Sequence, residues 1–363
     1  MKKRFIAAAL LLSFLLLAGC GTATPPASNN TASTDTETTV STDNTVYELR
    51  ISSYFADTHC TNKNYLKPIA EQLEEKSDGR LKVTLYTNAT LGSAAEQYDM
   101  AVDGVAEITQ GCQGNNTGRF PLTTVLELPF LWPADMTAEN CNRAVWELYE
   151  TNANLQKEYA DVKLLSVFVN EPGNVYTNGK PIQTLADFKG MQIRAPQETA
   201  AKTLSALGAT PITMAATDLY LALDRGTVDG TLFNTANIND WGFWEVLDYY
   251  TSCGFYNLAW FTAMNQDAYD RLPADLQALV DEAFGLNAGV TVGKGFDADY
   301  VANVQIAKDN GVEIYEIGED ELSTWHNACS SIYDQWLADH GEAGQEVLDL
   351  LQSLIEKYHY YEG

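Results

Sequence analysis

Basic residues are scarce in this chain: 22 Lys and Arg stand against 49 Asp and Glu, a net charge of −27. Such a surface repels phosphate backbones and anionic lipid head groups, and past Arg4 no basic patch reverses it. Nucleic acid is therefore excluded as a partner. Histidine is scarcer still. His59, His326, His340 and His359 lie far apart, with no His-x-x-x-His pair, and no Gly-x-Ser-x-Gly elbow exists, so no catalytic constellation is visible. Cys60, Cys112, Cys141, Cys253 and Cys329 are an odd set with no Cys-x-x-Cys spacing. One disulfide is allowed by that count, but neither a disulfide framework nor a zinc site is indicated, and no metal or cofactor is expected. Gly111, Gly114 and Gly118 miss the Gly-x-Gly-x-x-Gly spacing and read as a loop.

Long apolar runs are also lacking, apart from Phe5 to Leu17. That run is shorter than the ~20 residues of a membrane span and follows Lys2, Lys3 and Arg4, the charge order of a secretory signal. It ends Leu17-Ala18-Gly19-Cys20, which resembles a bacterial lipobox. Residues 1–19 are thus expected to be a signal peptide, with Cys20 the lipid anchor and the protein extracytoplasmic, held on the outer face of the cell membrane. Residues 20–45 are rich in Thr, Ser, Asn and Pro and almost free of apolar residues, so they are expected to be a disordered tether.

What the chain does have is core material, 45% hydrophobic residues, and past the tether it follows an α/β pattern. Tyr47–Tyr54 and Arg80–Thr87 alternate as strands around a helical stretch at Asn64–Ser77, a β-α-β opening. The spacing predicts a helix at Ala94–Val102, a strand at Glu107–Cys112, a helix at Ala138–Tyr159 and a strand at Val162–Asn170. Helices are predicted from near Pro273, at Glu319–Ala338 and at Glu346–Tyr358. The informative stretch is Pro181–Asn234. Thr184 and Asp187 have capping-box spacing, so a single turn feeds a strand at Met191–Pro196 that Pro196 stops. Thr217 reads as the N-cap of a helix ending at Arg225-Gly226, and Val228–Phe233 as a second strand. Arg194 and Asn234 thus fall at carboxyl ends of strands, outside which open α/β sheets bind ligands. By position alone a salt-bridged surface arginine and a ligand-facing arginine fit Arg194 equally.

Three ordered motifs decide more. Leu185-Ala186-Asp187-Phe188-Lys189-Gly190-Met191-Gln192-Ile193-Arg194, Leu207-Gly208-Ala209-Thr210-Pro211-Ile212-Thr213-Met214 and Leu219-Tyr220-Leu221-Ala222-Leu223-Asp224-Arg225-Gly226-Thr227-Val228-Asp229-Gly230 together resemble the central signature of the TRAP-transporter solute-binding proteins, the DctP-like family. Gly79–Val83, Leu91–Ser93, Gly118–Leu122 and Leu128–Phe130 resemble further motifs of that family in the same order. The resemblance implies a two-lobed periplasmic-binding-protein-like fold with strand crossovers between lobes and a long C-terminal helical region. It places lobe I at 46–171 plus 259–299 and lobe II at 172–258 plus 300–363. It implies a monomer that captures a small organic acid and hands it to TRAP membrane permease subunits, with contact to the bilayer only through Cys20.

In the family the arginine matching Arg194 pairs with the ligand carboxylate, a contact that the guanidinium fork makes with two parallel hydrogen bonds. Tyr54, Phe55 and Phe233 are expected to form the apolar wall. Asn174 stands where many members carry a second arginine, and the family asparagine after Asp-Gly is displaced, with Phe233 in its place and Asn234 next. One cation, amides and an aromatic wall imply a monocarboxylate, unless Arg119 or Lys63 reaches the site from the other lobe. A ligand-sensing lipoprotein with the same pocket, or an enzyme acting on an anionic substrate, are the competing functions.

Overall fold

The computed structural model describes residues 44–362, so the signal peptide, Cys20 and most of the tether lie outside the described residues. The strands are β1 Tyr47–Ser52, β2 Leu81–Tyr86, β3 Ile108–Cys112, β4 Lys163–Val169, β5 Gly173–Thr177, β6 Gln192–Ala195, β7 Thr210–Thr213, β8 Gly230–Phe233, β9 Tyr249–Tyr256, β10 Ala259–Met264 and β11 Glu313–Glu316. They sort into two mixed sheets, ordered β2-β1-β3-β10-β4 and β11-β9-β5-β8-β6-β7. In the first, β1 pairs in parallel with β2 and β3, and β10 runs antiparallel to β3 and β4. In the second, β6 pairs in parallel with β7 and β8, while β5 runs antiparallel to β8 and β9.

Successive side chains of a strand point to opposite faces, so a strand covered on both faces must be apolar at consecutive positions. β4 and β10 meet that demand. Phe168, Trp260 and Met264 join Ile51, Tyr65 and Phe284 on one face, whereas Val167, Val169, Phe261 and Ala263 join Tyr98, Phe120 and Val145 on the other. β5 and β8 do the same in the second sheet: Val175 and Leu232 pack with Ile193, Phe255 and Trp325, and Tyr176 and Phe233 pack with Leu219, Phe243 and Trp244.

The chain crosses between the sheets at Asn170–Pro172, joining β4 to β5, and at Asn257–Leu258, joining β9 to β10. The Gly285–Asp309 helix makes a third crossing. Its Ala288, Val292 and Phe296 pack in the first sheet's core, and Val304, Ile306 and Ala307 in the second's. Asp297, midway, caps the Ala138–Thr151 helix by accepting from the amides of Ala138 at 2.7 Å and Glu139 at 3.1 Å, a favourable place for an acidic group.

Several local expectations are corrected. The helix expected over Ala138–Tyr159 breaks at Asn152, whose extended backbone lets its side chain cap a new turn through Asn154 and Leu155. Thr217 lies inside the Ala216–Asp224 helix, which starts after an extended Ala215. The C-terminal residues do not all pack with the second sheet, as the assignment of 300–363 to lobe II implies. Gly341, with φ of 56°, breaks the Ser330–Tyr358 helix, and Val347, Leu348, Leu351 and Ile355 return to the first sheet's core. All five described cysteines are buried and free, so the allowed disulfide is absent among them.

The crossing of the Gly285–Asp309 and Ala138–Thr151 helices depends on Gly293, where an added Cβ would lie 2.6 Å from the Glu139 Cα and N. Those are backbone atoms and cannot turn aside. Gly293→Ala should therefore destabilise the protein by about 1–3 kcal/mol, read as a lower Tm in calorimetry. An unchanged Tm would show that the helices can separate freely.

Candidate functional site

Parallel pairing of β6 with β7 and β8 makes Arg194 project at the carboxyl end of the second sheet, opposite Ile212 and Thr231. Carboxyl ends of the two sheets meet there. Gly114, just after β3, leaves room for Gln197, just after β6: a Cβ on Gly114 would lie 3.4 Å from the Gln197 Oε1. Cys60, in the segment after β1, likewise meets the turn after β8, its Sγ 3.4 Å from the Asn237 Oδ1. The seam between the sheets is thus built from strand ends of both.

Arg194 is 5% exposed. Its Nε donates to the Met214 carbonyl at 3.1 Å and its Nη1 to the Leu232 carbonyl at 3.3 Å. Those bonds use two of the five N–H donors of a guanidinium. Among the described residues no Asp or Glu pairs with it, although the half-buried arginines Arg50, Arg80 and Arg143, and the exposed Arg119, each have a carboxylate partner. The Phe233 ring centroid lies 5.8 Å from its Cζ. Burial lowers its pKa to about 10, so the group stays cationic at neutral pH. A buried cation without a counter-ion is costly, and an anion entering the seam would lower that cost.

A hydrogen-bonded chain surrounds it. The Tyr256 hydroxyl donates to the Asn234 Oδ1 at 3.2 Å and stands within electrostatic reach of Arg194, Glu171 and the Cys112 thiol. Asn234 donates to the Glu171 carbonyl at 2.7 Å. The Glu171 Oε1 accepts from the Ala236 amide at 2.8 Å, while its Oε2 has no partner among the described residues. Asn170 and Asn257 lock the two crossovers together through an Asn257 Nδ2 bond to the Asn170 carbonyl at 2.9 Å. Buried Asn170 Nδ2 and Gln197 Oε1 are likewise without partners among the described residues. Buried polar groups ordinarily find partners, so these unspent atoms along the seam are open to one.

The residues expected at the site do not all face it. Asn174 is spent within the second sheet: its Nδ2 lies 3.2–3.3 Å from the Pro172 carbonyl, the Thr235 hydroxyl and the Tyr250 hydroxyl, and its Oδ1 accepts from the Cys253 and Gly254 amides. Those bonds commit its amide to the framework of the sheet. Phe55 is buried and stacks on His59 at 3.7 Å, with the Tyr54 ring centroid 4.2 Å away. Tyr54 is half-buried beside Asn115 and Cys112. Asn234 and Phe233 lie at the seam with Arg194. Arg119 pairs with Asp99 at 2.7 Å, and Lys63 with Asp299 at 3.6 Å, so both are committed elsewhere. Glu171 and Tyr256 were missed. A charged residue placed directly after the apolar run of β4 was the available signal for Glu171, whereas Tyr256 sits in an aromatic-rich strand that looks like ordinary core.

Two sheets joined by crossovers, with a buried cation at their facing strand ends, define a protein that captures a solute. The family model of the bacterial extracellular solute-binding proteins, family 7, DctP, matches residues 51–339. The chain belongs to that family, and is a TRAP-transporter solute-binding protein with its two-lobed fold. A TRAP solute-binding protein from Rhodoferax ferrireducens T118, solved with copurified benzoate, is 29% identical with a TM-score of 0.80, over 86% of this chain and 98% of that one. A marine-metagenome TRAP protein specific for aromatic acids, solved with 3-hydroxybenzoate, is 28% identical with a TM-score of 0.81, over 86% and 99%. The ectoine-binding periplasmic protein TeaA of Halomonas elongata is 26% identical over 289 residues, 76% of this chain and 81% of that protein. Members of the family are extracytoplasmic and work with membrane permease subunits.

Burial also governs Glu171, pushing its carboxyl from 4.5 up to about 8. Between those values the unfolded chain releases a proton that the folded chain keeps, so stability falls as pH rises from about 4.5 to about 8. Buried Glu127 is raised similarly and adds a slope of the same sign. Glu171→Gln should shrink the loss of stability between pH 5 and pH 8 and leave the Glu127 part. Urea denaturation at both pH values checks this, and equal losses in the variant and the unmodified protein would refute it.

Proposed function

We propose that this protein captures an organic monocarboxylate between its two lobes and delivers it to a TRAP-type permease, with Arg194 as the carboxylate contact. The observation that carries this is the burial of Arg194 without a carboxylate partner. A ligand carboxylate would take the guanidinium's remaining donors through two parallel charge-assisted bonds. Phe233 and, from the other sheet, Tyr54 and Phe55 form the apolar wall, with Asn234, Tyr256 and Glu171 as polar partners for a hydroxyl or keto group. The benzoate and 3-hydroxybenzoate relatives support an aryl acid, because the cation and aromatic wall here suit one carboxylate on a flat apolar body. Among the described residues the two cations expected to reach the site, Arg119 and Lys63, are paired and Asn174 is neutral and spent, so none of the three would serve a second carboxylate. We further propose that it acts as a transport component and not as an enzyme, as a monomer held by a lipid on Cys20.

Calorimetric titration of matched acids tests the reading. Benzoate, 3-hydroxybenzoate or mandelate should bind, and succinate and malate should not. Tight succinate or malate binding with no monocarboxylate bound would refute it. Arg194→Ala should cost about 2–5 kcal/mol, roughly thirty-fold in affinity or more. Arg194→Lys should also bind poorly, because a point charge does not reproduce the fork. Either variant within about threefold of the unmodified protein would remove Arg194 from the site.

A further inference from the structure

We infer that the seam carries a second site, for a thiophilic divalent metal of the zinc class, formed by His59 and Cys60 after β1 and by Asn237 and Asp240 after β8. The ligands come from both halves of the molecule, and a metal bound by them fastens one sheet's loop to the other's. This inference does not depend on which solute the protein carries.

The geometry is close to that of a coordination shell. The Cys60 Sγ lies 3.7 Å from the His59 Nδ1 and 3.4 Å from the Asn237 Oδ1. An Asp240 carboxylate oxygen, the Cys60 Sγ and a His59 ring nitrogen all lie within 4.8 Å of one another. Tetrahedral zinc with bonds of about 2.3 Å to sulfur and 2.0–2.1 Å to nitrogen or oxygen separates its ligand atoms by about 3.5 Å. Two edges already have that length, and Asp240, which is exposed, can swing to close the rest. The Cys60 amide donates to the Asp240 Oδ2 at 3.2 Å, which holds that carboxylate near the thiol.

The ring and the field suit a cation. Phe55 stacks on the His59 ring at 3.7 Å with planes 6° apart and fixes its orientation. The Thr61 hydroxyl, 2.8 Å from the His59 Nδ1, and the Thr61 amide, which donates to that nitrogen at 3.3 Å, are the partners that a metal on it replaces. Asp240 and Asp299 place negative charge near the thiol. The nearby cation is Lys63, which is paired with Asp299 at 3.6 Å. Thiolate and imidazole together select zinc-class ions over magnesium or calcium, and binding sends the Cys60 thiol proton to solvent. Because each half supplies two ligands, the metal favours the state in which the loops meet.

The test uses the whole chain, freed of metal by a chelator, with Zn²⁺ in calorimetry and Co²⁺ as a spectroscopic probe. One equivalent of Zn²⁺ should bind and raise Tm, and Co²⁺ should give a thiolate-to-cobalt charge-transfer band. Cys60→Ser should abolish the band and weaken Zn²⁺ at least tenfold. Asp240→Asn, at an exposed position, should weaken Zn²⁺ at least threefold even if Cys60→Ser fails to fold. Cys20→Ser should leave the band intact. Absence of the band, its loss in Cys20→Ser, or Zn²⁺ affinity unchanged in both Cys60→Ser and Asp240→Asn would each overturn the site.

Discussion

A guanidinium buried without a carboxylate beside it sets the terms for this molecule. Taking Arg194 out of water is costly, and the two carbonyl bonds from Met214 and Leu232 offset only part of that cost. The protein holds the group in place with the rigidity of a sheet. β6 is paired on both edges, by β7 and β8, so the side chain starts from a backbone that cannot drift. Neutralising the cation from within would have needed one acidic side chain. Among the described residues no acidic side chain pairs with it, which preserves its attraction for an external anion.

The same seam concentrates the hardware that joins the two halves. Asn170 and Asn257 sit at the two strand crossovers and bond to each other, and Asn234 ties the Glu171 backbone to Tyr256. Gly173 allows this arrangement, because a Cβ there would lie 2.2 Å from the Tyr256 ring. The crossovers and the surroundings of Arg194 therefore share a few residues.

Charge works on two scales. The body is strongly acidic, which disfavours an approaching anion at long range, although salt screens that effect beyond about 8–10 Å. Inside the seam the local field is set by single groups. Arg194 is positive, whereas burial keeps Glu171 protonated through neutral pH. The Cys60 corner, with Asp240 and Asp299 near it, is the negative end of the same seam. An anion and a metal cation would thus be drawn to different ends of one interface.

Much of this was legible in the chain itself. The β-α-β opening, the capping-box turn at Thr184 and Asp187, the strand that Arg194 nearly ends and the ordered family motifs are local patterns, written in neighbouring residues. The break at Asn152 and the misplaced Thr217 cap were not, because several residues near a helix start can cap and the tertiary frame chooses among them. Asn174 looked free in sequence and is fully bonded, since its partners at Tyr250, Cys253 and Gly254 arrive from a strand far along the chain. His59 and Cys60 belong to no spacing motif for the same reason: Asn237 and Asp240 reach them only when β1 and β8 end at one seam. Sequence determined the elements and the single cation, because periodicity and capping act over a few residues. Tertiary structure alone decided which polar groups stayed unspent, because whether a donor is free depends on what the rest of the chain brings to it.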